Sequence, residues 1–330
     1  MTDDTATQVL DAIEGRRTER RRFLAYAGGA TAGTAALSLL AACGADGTAS
    51  TTSSSTVSSV ATTTTEVDVF NFALNLEYLE AQFYAFAAYG TGLSAALLTG
   101  VGTQGSVTGG AQVPFTDPVV AQYAREIAAD EAAHVTFLRS LLQSAAVAMP
   151  AINIDGSSAT GAFSVAAQAA GVVAAGGIFN PYASDENFLL GAFLFEDVGV
   201  SAYKGASPLL SNPTYISNAA GILATEAYHA GLIRSVLYRK GIEATPSLLT
   251  NAQKLSDARD SLDGSSDDDQ GIGDATVANI TPADPTTAIA YSRSTGQVLN
   301  IVYLNKASVK LGGFFPAGVN GNIFTSAPSG

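Results

Sequence analysis

Residues 131–142, EAAHVTFLRSLL, and residues 226–237, EAYHAGLIRSVL, are two copies of one pattern, and this repeat is the strongest indication of the fold. Six of their twelve positions are identical, and the only two histidines of the chain, His134 and His229, both lie in Glu-x-x-His. On an α-helix, residues three apart project from one face, so each copy presents a carboxylate and an imidazole to a single point. The repeat therefore predicts two related helices that face a common polar site.

Helical periodicity extends over four long segments, and the repeat lies in the second and fourth of them. The segments run over residues 67–89, 118–147, 184–203 and 213–241. Both Asp117-Pro118 and Asn212-Pro213 are typical helix starts, in which a capping side chain precedes a proline at the first helical position. The connection over residues 148–183 is long, with a weak helical pattern at 163–171. We therefore predict an all-α four-helix bundle with a long crossover between helices two and three.

The first and third segments each carry a glutamate followed seven residues later by a tyrosine. These pairs are Glu77 with Tyr84 and Glu196 with Tyr203. Seven residues are close to two helical turns, so each tyrosine lies on the same face as its glutamate. The repeated spacing favours Glu77 over Glu80, which lies near the same face. We expect the tyrosines to orient the carboxylates through hydrogen bonds, with simple core packing as the alternative.

The four segments present Glu, Glu-x-x-His, Glu and Glu-x-x-His in chain order. Helix bundles use this donor set for a dinuclear carboxylate centre, and the predicted metal ligands are Glu77, Glu131, His134, Glu196, Glu226 and His229. The four carboxylates would balance the four positive charges of two divalent ions, and iron, manganese and zinc all accept such donors. The small residues Ala73, Gly199 and Gly231 near the ligand turns are expected to leave a narrow channel for a small molecule.

Two of these segments also carry a family resemblance. Residues 75–84, NLEYLEAQFY, and residues 195–205, FEDVGVSAYKG, look like the ferritin-like domain family that includes the desiccation-related proteins. The likeness covers residues 66–242 and implies a ferritin-like bundle with a di-iron or di-manganese centre. Relatives include ferroxidases, rubrerythrin-type peroxidases and manganese catalases, so the resemblance implies a protein that oxidises ferrous iron or reacts with peroxide in stress defence. The alternative is a non-catalytic envelope protein in which metal only staples the bundle.

Residues 1–43 have the pattern of an export signal. Arg20 and Arg21 belong to a basic run that precedes a charge-free apolar stretch at residues 25–42, and this run resembles a twin-arginine signal. The stretch ends in Leu-Ala-Ala before Cys43, which resembles a bacterial lipobox and implies lipidation of that cysteine. We expect export to the cell envelope and a lipid anchor in a membrane. A single transmembrane anchor or an apolar arm on a cytosolic protein is the alternative.

The remaining sequence divides around the bundle. Residues 44–65 are rich in Ser and Thr and form a predicted linker, whereas residues 243–330 form a C-terminal extension with helical patterns at 248–262 and 297–305. An acidic loop over residues 264–273 is predicted to be solvated. The tail from Gly312 is expected to pack over the bundle or over a neighbouring subunit, which leaves a homo-oligomer open.

Composition limits the partners. The 330 residues contain 16 Lys+Arg and 29 Asp+Glu, for a net charge of −13, so cations and small oxidants are expected as partners and nucleic acid is not. One cysteine excludes a disulfide framework and a thiolate-rich metal site. Of the acidic residues near the predicted ligands, Glu126, Asp130 and Asp197 are interpreted as solvated or helix-pairing charges.

Overall fold

The computed structural model describes residues 64–329, and this part of the chain contains seven α-helices and two short strands. Four long helices form the bundle: α1 (Glu66–Tyr89), α2 (Pro118–Leu142), α4 (Asp185–Ala206) and α5 (Pro213–Glu243). The predicted export signal, Arg20, Arg21, Cys43 and nearly all of the linker lie outside the described residues. None of the helices in residues 64–329 combines the length and the apolar character needed to cross a membrane.

Local capping explains where the bundle helices begin and end. Thr65 and Asp68 cap the start of α1 reciprocally, and Gly90 ends it in the left-handed conformation, with φ of 72°. Asp117 caps α2 and Asn212 caps α5, each followed by proline at the first helical position, as the sequence predicted. The second helix ends earlier than expected, because residues Gln143–Ala145 form a 3-10 turn in place of another α-helical turn.

The bundle consists of two antiparallel helix pairs, α1 with α2 and α4 with α5. Hydrogen bonds join Asn71 to the carbonyl of Ala145 and Tyr89 to that of Arg125, so α1 and α2 run in opposite directions. Lys240, near the end of α5, reaches Glu186 at the start of α4. The α1 helix is buried at 20 of its 24 residues but α2 at only 9 of 25, so α1 is central and α2 lies at the surface.

A long connection carries the chain from the first helix pair to the second. It contains strand β2 (Ile152–Ile154) and the short helix α3 (Ala162–Ala169), where the weak helical pattern was noted. Strand β1 (Val107–Gly109), in the connection between α1 and α2, pairs with β2 in parallel. A crossover of this length distinguishes a ferritin-like bundle from an up-down bundle with short loops, so the predicted fold class is confirmed.

The C-terminal extension packs on α4 and α5 and shares the hydrophobic core of the bundle. Helix α6 (Ser247–Asp263) contacts α4 and α5, while α7 (Thr295–Val302) contacts α4 and α6. The tail inserts Phe314 against Phe195, with ring centroids 4.9 Å apart. Its predicted packing over the bundle is therefore observed within the described residues.

Buried ion pairs also connect the extension to the bundle. Three arginines and three aspartates take part: Arg234, Arg259, Arg293, Asp197, Asp263 and Asp269. Asp197 accepts from Arg234 at 2.8 Å and from Arg259 at 3.0 Å. Asp197 is thus a helix-pairing charge, one of the two expected alternatives, but it is buried. The prediction of a solvated acidic loop is wrong at Asp269, which is buried where it neutralises Arg259 and Arg293.

Candidate metal centre

The structure brings the six predicted ligands together in the middle of the bundle. They come from all four long helices: Glu77 from α1, Glu131 and His134 from α2, Glu196 from α4, and Glu226 and His229 from α5. Five of the six are buried, and His134 retains slight exposure, with 12% of its side chain accessible. The antiparallel helix pairs place each Glu-x-x-His face opposite the other and opposite the single glutamates of α1 and α4.

The donor atoms form two groups that share one carboxylate. Glu77, Glu131, His134 and Glu226 form the first group, which we call the His134 position; its donor atoms all lie within 4.8 Å of one another. The second group, the His229 position, contains Glu131, Glu196 and His229. Since Glu131 belongs to both groups, the two positions are neighbours that share one carboxylate.

Distances around the imidazoles define each position. His134 Nδ1 lies 3.1 Å from Glu77 Oε2 and 3.6 Å from both Glu131 Oε2 and Glu226 Oε1. His229 Nδ1 lies 3.0 Å from Glu131 Oε1 and 3.6 Å from Glu196 Oε2. Both imidazoles therefore direct Nδ1 toward the carboxylates.

Several of these atoms have no hydrogen-bond partner in the described part of the chain. Six buried atoms that could ligate a metal share this property: both carboxylate oxygens of Glu131, both of Glu226, Glu196 Oε2 and His229 Nδ1. Buried acceptors left without partners are costly, and metal ions relieve that cost by taking their lone pairs. Carboxylate and imidazole donors without a thiolate suit iron, manganese or zinc, so the residues present fit a metal site.

The two tyrosines form hydrogen bonds to the other oxygens of Glu77 and Glu196, and these bonds join different helices of the bundle. Tyr84 of α1 donates to Glu196 of α4, and Tyr203 of α4 donates to Glu77 of α1. Each tyrosine therefore orients the glutamate of the facing helix, and not the glutamate seven residues before it. Burial and the nearby carboxylates raise the pKa of both phenols well above 10, so both remain donors.

Burial and crowding set the charges of the metal-free site. Burial raises the pKa of Glu77 to about 7 and that of Glu196 to about 8, and the charge of Glu131 adds to both shifts. Burial alone would also raise the pKa of Glu131, but the two imidazoles outweigh it and lower this pKa to about 2. Protons thus occupy much of the metal-free site, while Glu131 stays ionised between the imidazoles.

The carboxylates also reverse the effect of burial on the histidines. Burial disfavours a charged imidazole, yet Glu77 and Glu131 outweigh it and raise the pKa of His134 to about 10. Asp130, Glu131 and Glu196 raise the pKa of His229 to about 11 in the same way. A metal ion that binds here must displace these protons.

Glu80 is a further buried carboxylate beside the centre. It is 5% exposed, and among residues 64–329 its side chain forms no hydrogen bond. Burial and the neighbouring Glu131 and Glu196 raise its pKa well above its usual range. The sequence placed Glu80 on the right face of α1, but its proximity to the centre depends on the packing of α4.

A small apolar cavity lies beside Glu80. Its volume is about 20 Å³, and Leu79, Val198 and Phe314 are among its lining residues, with Glu80 as the one charged residue on its wall. A space of this size holds roughly one water-sized molecule. Gly199 lines the cavity, whereas Ala73 and Gly231 each line a different one, so the predicted channel of these three small residues is wrong.

Comparison with known proteins supports this description of the fold and site. The model of the ferritin-like domain family matches residues 65–239. The chain therefore belongs to the ferritin-like domain family, and its carboxylate and histidine cluster is that of a metal-binding member.

Two curated relatives are similar over much of the chain. It is 28% identical to the ferritin-like catalase Nec2 of Nesocodon mauritianus over 78% of its own length and 84% of the relative. It is also 32% identical to the desiccation-related protein PCC13-62 of Craterostigma plantagineum, over 64% of each chain. No solved structure gives a significant match.

Proposed function

We propose that this protein binds two iron or manganese ions at the His134 and His229 positions and uses them to consume hydrogen peroxide. The observation that carries the proposal is the convergence of six carboxylate and imidazole side chains on two neighbouring points, with buried atoms that lack a hydrogen-bond partner on four of the six residues. Glu131 would bridge the ions, since it belongs to both groups. Four carboxylates would then face four positive charges, so the loaded centre is neutral with neutral imidazoles.

Peroxide chemistry requires both redox change and proton movement. Disproportionation reduces one peroxide to two waters, which takes up two electrons and two protons, and oxidises a second peroxide to dioxygen, which returns them. Bound iron or manganese ions would supply the electron storage between the two half-reactions. Protons must be held close by, and the protein provides groups for this.

The chain's own residues support this chemistry in three ways. Tyr84 and Tyr203 hold Glu196 and Glu77 in place through hydrogen bonds. The Glu80 carboxyl, with its raised pKa, can hold a proton beside the centre. The cavity next to it admits one small neutral molecule, and its apolar walls exclude bulk water.

The similarity to a protein named as a catalase favours disproportionation over ferrous oxidation. The similarity to that relative extends over 78% of this chain and 84% of the relative. We propose also that the protein acts in the cell envelope, exported by the signal around Arg20 and Arg21 and anchored by lipid on Cys43. This part of the proposal is supported by the sequence pattern alone.

A second candidate function is a metal-stapled, non-catalytic protein. The similarity to a protein named as desiccation-related and the deep burial of the centre favour it. In that case the ions would only cross-link the four helices and raise the stability of the bundle.

The test is a peroxide assay on natively exported protein whose metals have been determined by elemental analysis. Disproportionation releases one dioxygen per two peroxides consumed, a peroxidase releases none, and a ferroxidase consumes ferrous iron. The double variant E77Q/E196Q should lose peroxide turnover. The control variant E126Q, which changes an exposed glutamate on the same helix as Glu131, should retain it. Metal-loaded wild type without peroxide or ferrous turnover would leave the staple as the better function.

A further inference from the structure

The two metal positions differ in their donors. The His134 position has three carboxylates and one imidazole, whereas the His229 position has two carboxylates and one imidazole. Because the His229 position has fewer protein ligands, each of them contributes a larger share of the affinity for an ion there. The orientation of His229 therefore matters more to that position than the orientation of His134 does to the other.

A carboxylate on the neighbouring helix contacts the outer side of the His229 ring. Asp130 Oδ2 lies 3.3 Å from His229 Nε2, while Nδ1 lies 3.0 Å from Glu131 Oε1. The side chain of Asp130 is 46% exposed and that of His229 is 5% exposed. An N–H donated from Nε2 to Asp130 leaves the Nδ1 lone pair free to face the metal position. Asp130 therefore selects the tautomer that can bind metal.

The internal repeat does not supply such a partner to His134. Asp130 precedes Glu131, and the residue that precedes Glu226 is Thr225. The Thr225 hydroxyl donates to the carbonyl of Gly221 on its own helix. Within residues 64–329, all the polar contacts of the His134 ring are made through Nδ1. The pseudo-twofold symmetry of the centre is thus broken at one residue of the repeat.

We infer that Asp130 is a positioning residue that orients His229. Because it supports the His229 position and not the His134 position, the two positions bind metal with unequal affinity. This inference rests on the proposed dinuclear centre. A carboxylate behind a metal-binding imidazole fixes the ring and increases its basicity, and loss of such a partner typically weakens metal binding by about 10–100-fold. The loss should fall on the His229 position alone.

The experiment is a stepwise titration of metal-free protein with Mn²⁺ by calorimetry under anaerobic conditions. Wild type should bind two ions in two resolvable steps. In D130A one step should weaken by about 10–100-fold while the other stays unchanged. The conservative variant D130N keeps an oxygen acceptor without charge, so it should restore most of the lost affinity. The matched control T225A changes the equivalent, half-buried position of the repeat and should leave both steps unchanged.

A gain-of-function variant gives an independent check. T225D introduces a carboxylate at the position related to Asp130 by the repeat, and it should strengthen the step that D130A leaves unchanged. Unchanged steps in D130A, or equal weakening of both steps, would overturn the role of Asp130 while the proposed function stands. Binding of fewer than two ions by wild type would overturn the dinuclear centre and this inference together.

Discussion

Replacing Gly199 by alanine adds a single methyl group and tests the assignment of Glu226. The Cβ of an alanine at this position would lie 3.1 Å from the Cδ atom of Glu226, and closer still to Oε2. Carbon atoms in favourable contact are about 3.5–4.0 Å apart, so the carboxylate must retreat by roughly 0.5–1 Å. Because this carboxylate is the end of a flexible side chain, it can move without unfolding α4 or α5.

The expected result follows from two opposing effects. Alanine favours a helix interior over glycine by about 1 kcal/mol, which offsets the cost of moving the side chain, so metal-free G199A should remain folded with nearly unchanged stability. Metal binding has no such compensation, since Glu226 contributes to the His134 position. We expect that step of a Mn²⁺ titration to weaken by about 10–100-fold. The contact with Glu80, at 3.5 Å from the added Cβ, is ordinary and should persist.

The matched control is G221A on helix α5. Gly221 is exposed, and a Cβ there would meet nothing within 4 Å. The control should keep both metal-binding steps and gain up to about 1 kcal/mol of stability from helix propensity alone. Calorimetric titration and thermal unfolding of the metal-free proteins would measure the two effects separately. If G199A bound two ions with wild-type affinities, Glu226 would not be a ligand and the donor set would be smaller than proposed.

Three further predictions concern protons, the shared carboxylate and the tyrosines, and a fourth concerns the anchor. Since the pKa of His134 is raised to about 10 and that of His229 to about 11 in the metal-free site, both imidazoles must lose a proton on loading. Metal binding should therefore weaken as pH falls below about 10, and loading at neutral pH should release at least these two protons per chain, measurable with a pH indicator in weak buffer. E131Q should reduce bound metal below two per chain and lower the midpoint of thermal unfolding of the loaded protein, because both positions use Glu131; full metal content would contradict the bridging assignment. Y203F should leave the metal-free fold intact but change the spectrum of the loaded centre, as Glu77 loses its donor. Mass spectrometry of membrane fractions should find a lipid-modified N-terminus at Cys43, and an unprocessed chain with a free thiol would exclude the anchor.

The bundle could be predicted from the sequence because its signals are local. Asp117 with Pro118 and Asn212 with Pro213 mark two helix starts by capping geometry, and Gly90 marks an end by its left-handed backbone. Helical spacing of three residues also fixed the pairing of glutamate and histidine on one face. These features depend on a few neighbouring residues, so no tertiary contact was needed to read them.

The errors concern residues whose environment comes from distant parts of the chain. Asp197 is buried because residues 259–293 of the extension bring two arginines and a loop over α4, and its own helix carries no sign of this. The hydrogen bond of Tyr84 reaches Glu196, 112 residues away in sequence, and periodicity within one helix cannot show it. Asp130 reaches a histidine 99 residues away. The repeat did contain one usable signal, because Asp130 and Thr225 differ at equivalent positions.

Two buried polar clusters lie next to each other in this protein, and their charges distinguish their roles. In the cluster that joins the extension to the bundle, three arginines face three aspartates, so the charges cancel within the protein. The centre contains five glutamates and two histidines, and its unpartnered atoms are almost all acceptors. Replacing a buried ion pair by apolar residues of similar volume often leaves protein stability unchanged or raises it by about 1–4 kcal/mol. Stability alone therefore does not explain why charged residues are buried in either cluster. The carboxylates of the metal centre can be neutralised only by added positive charge, as protons or as metal ions. The two Glu-x-x-His motifs, which face each other across the bundle, define where two metal ions would lie.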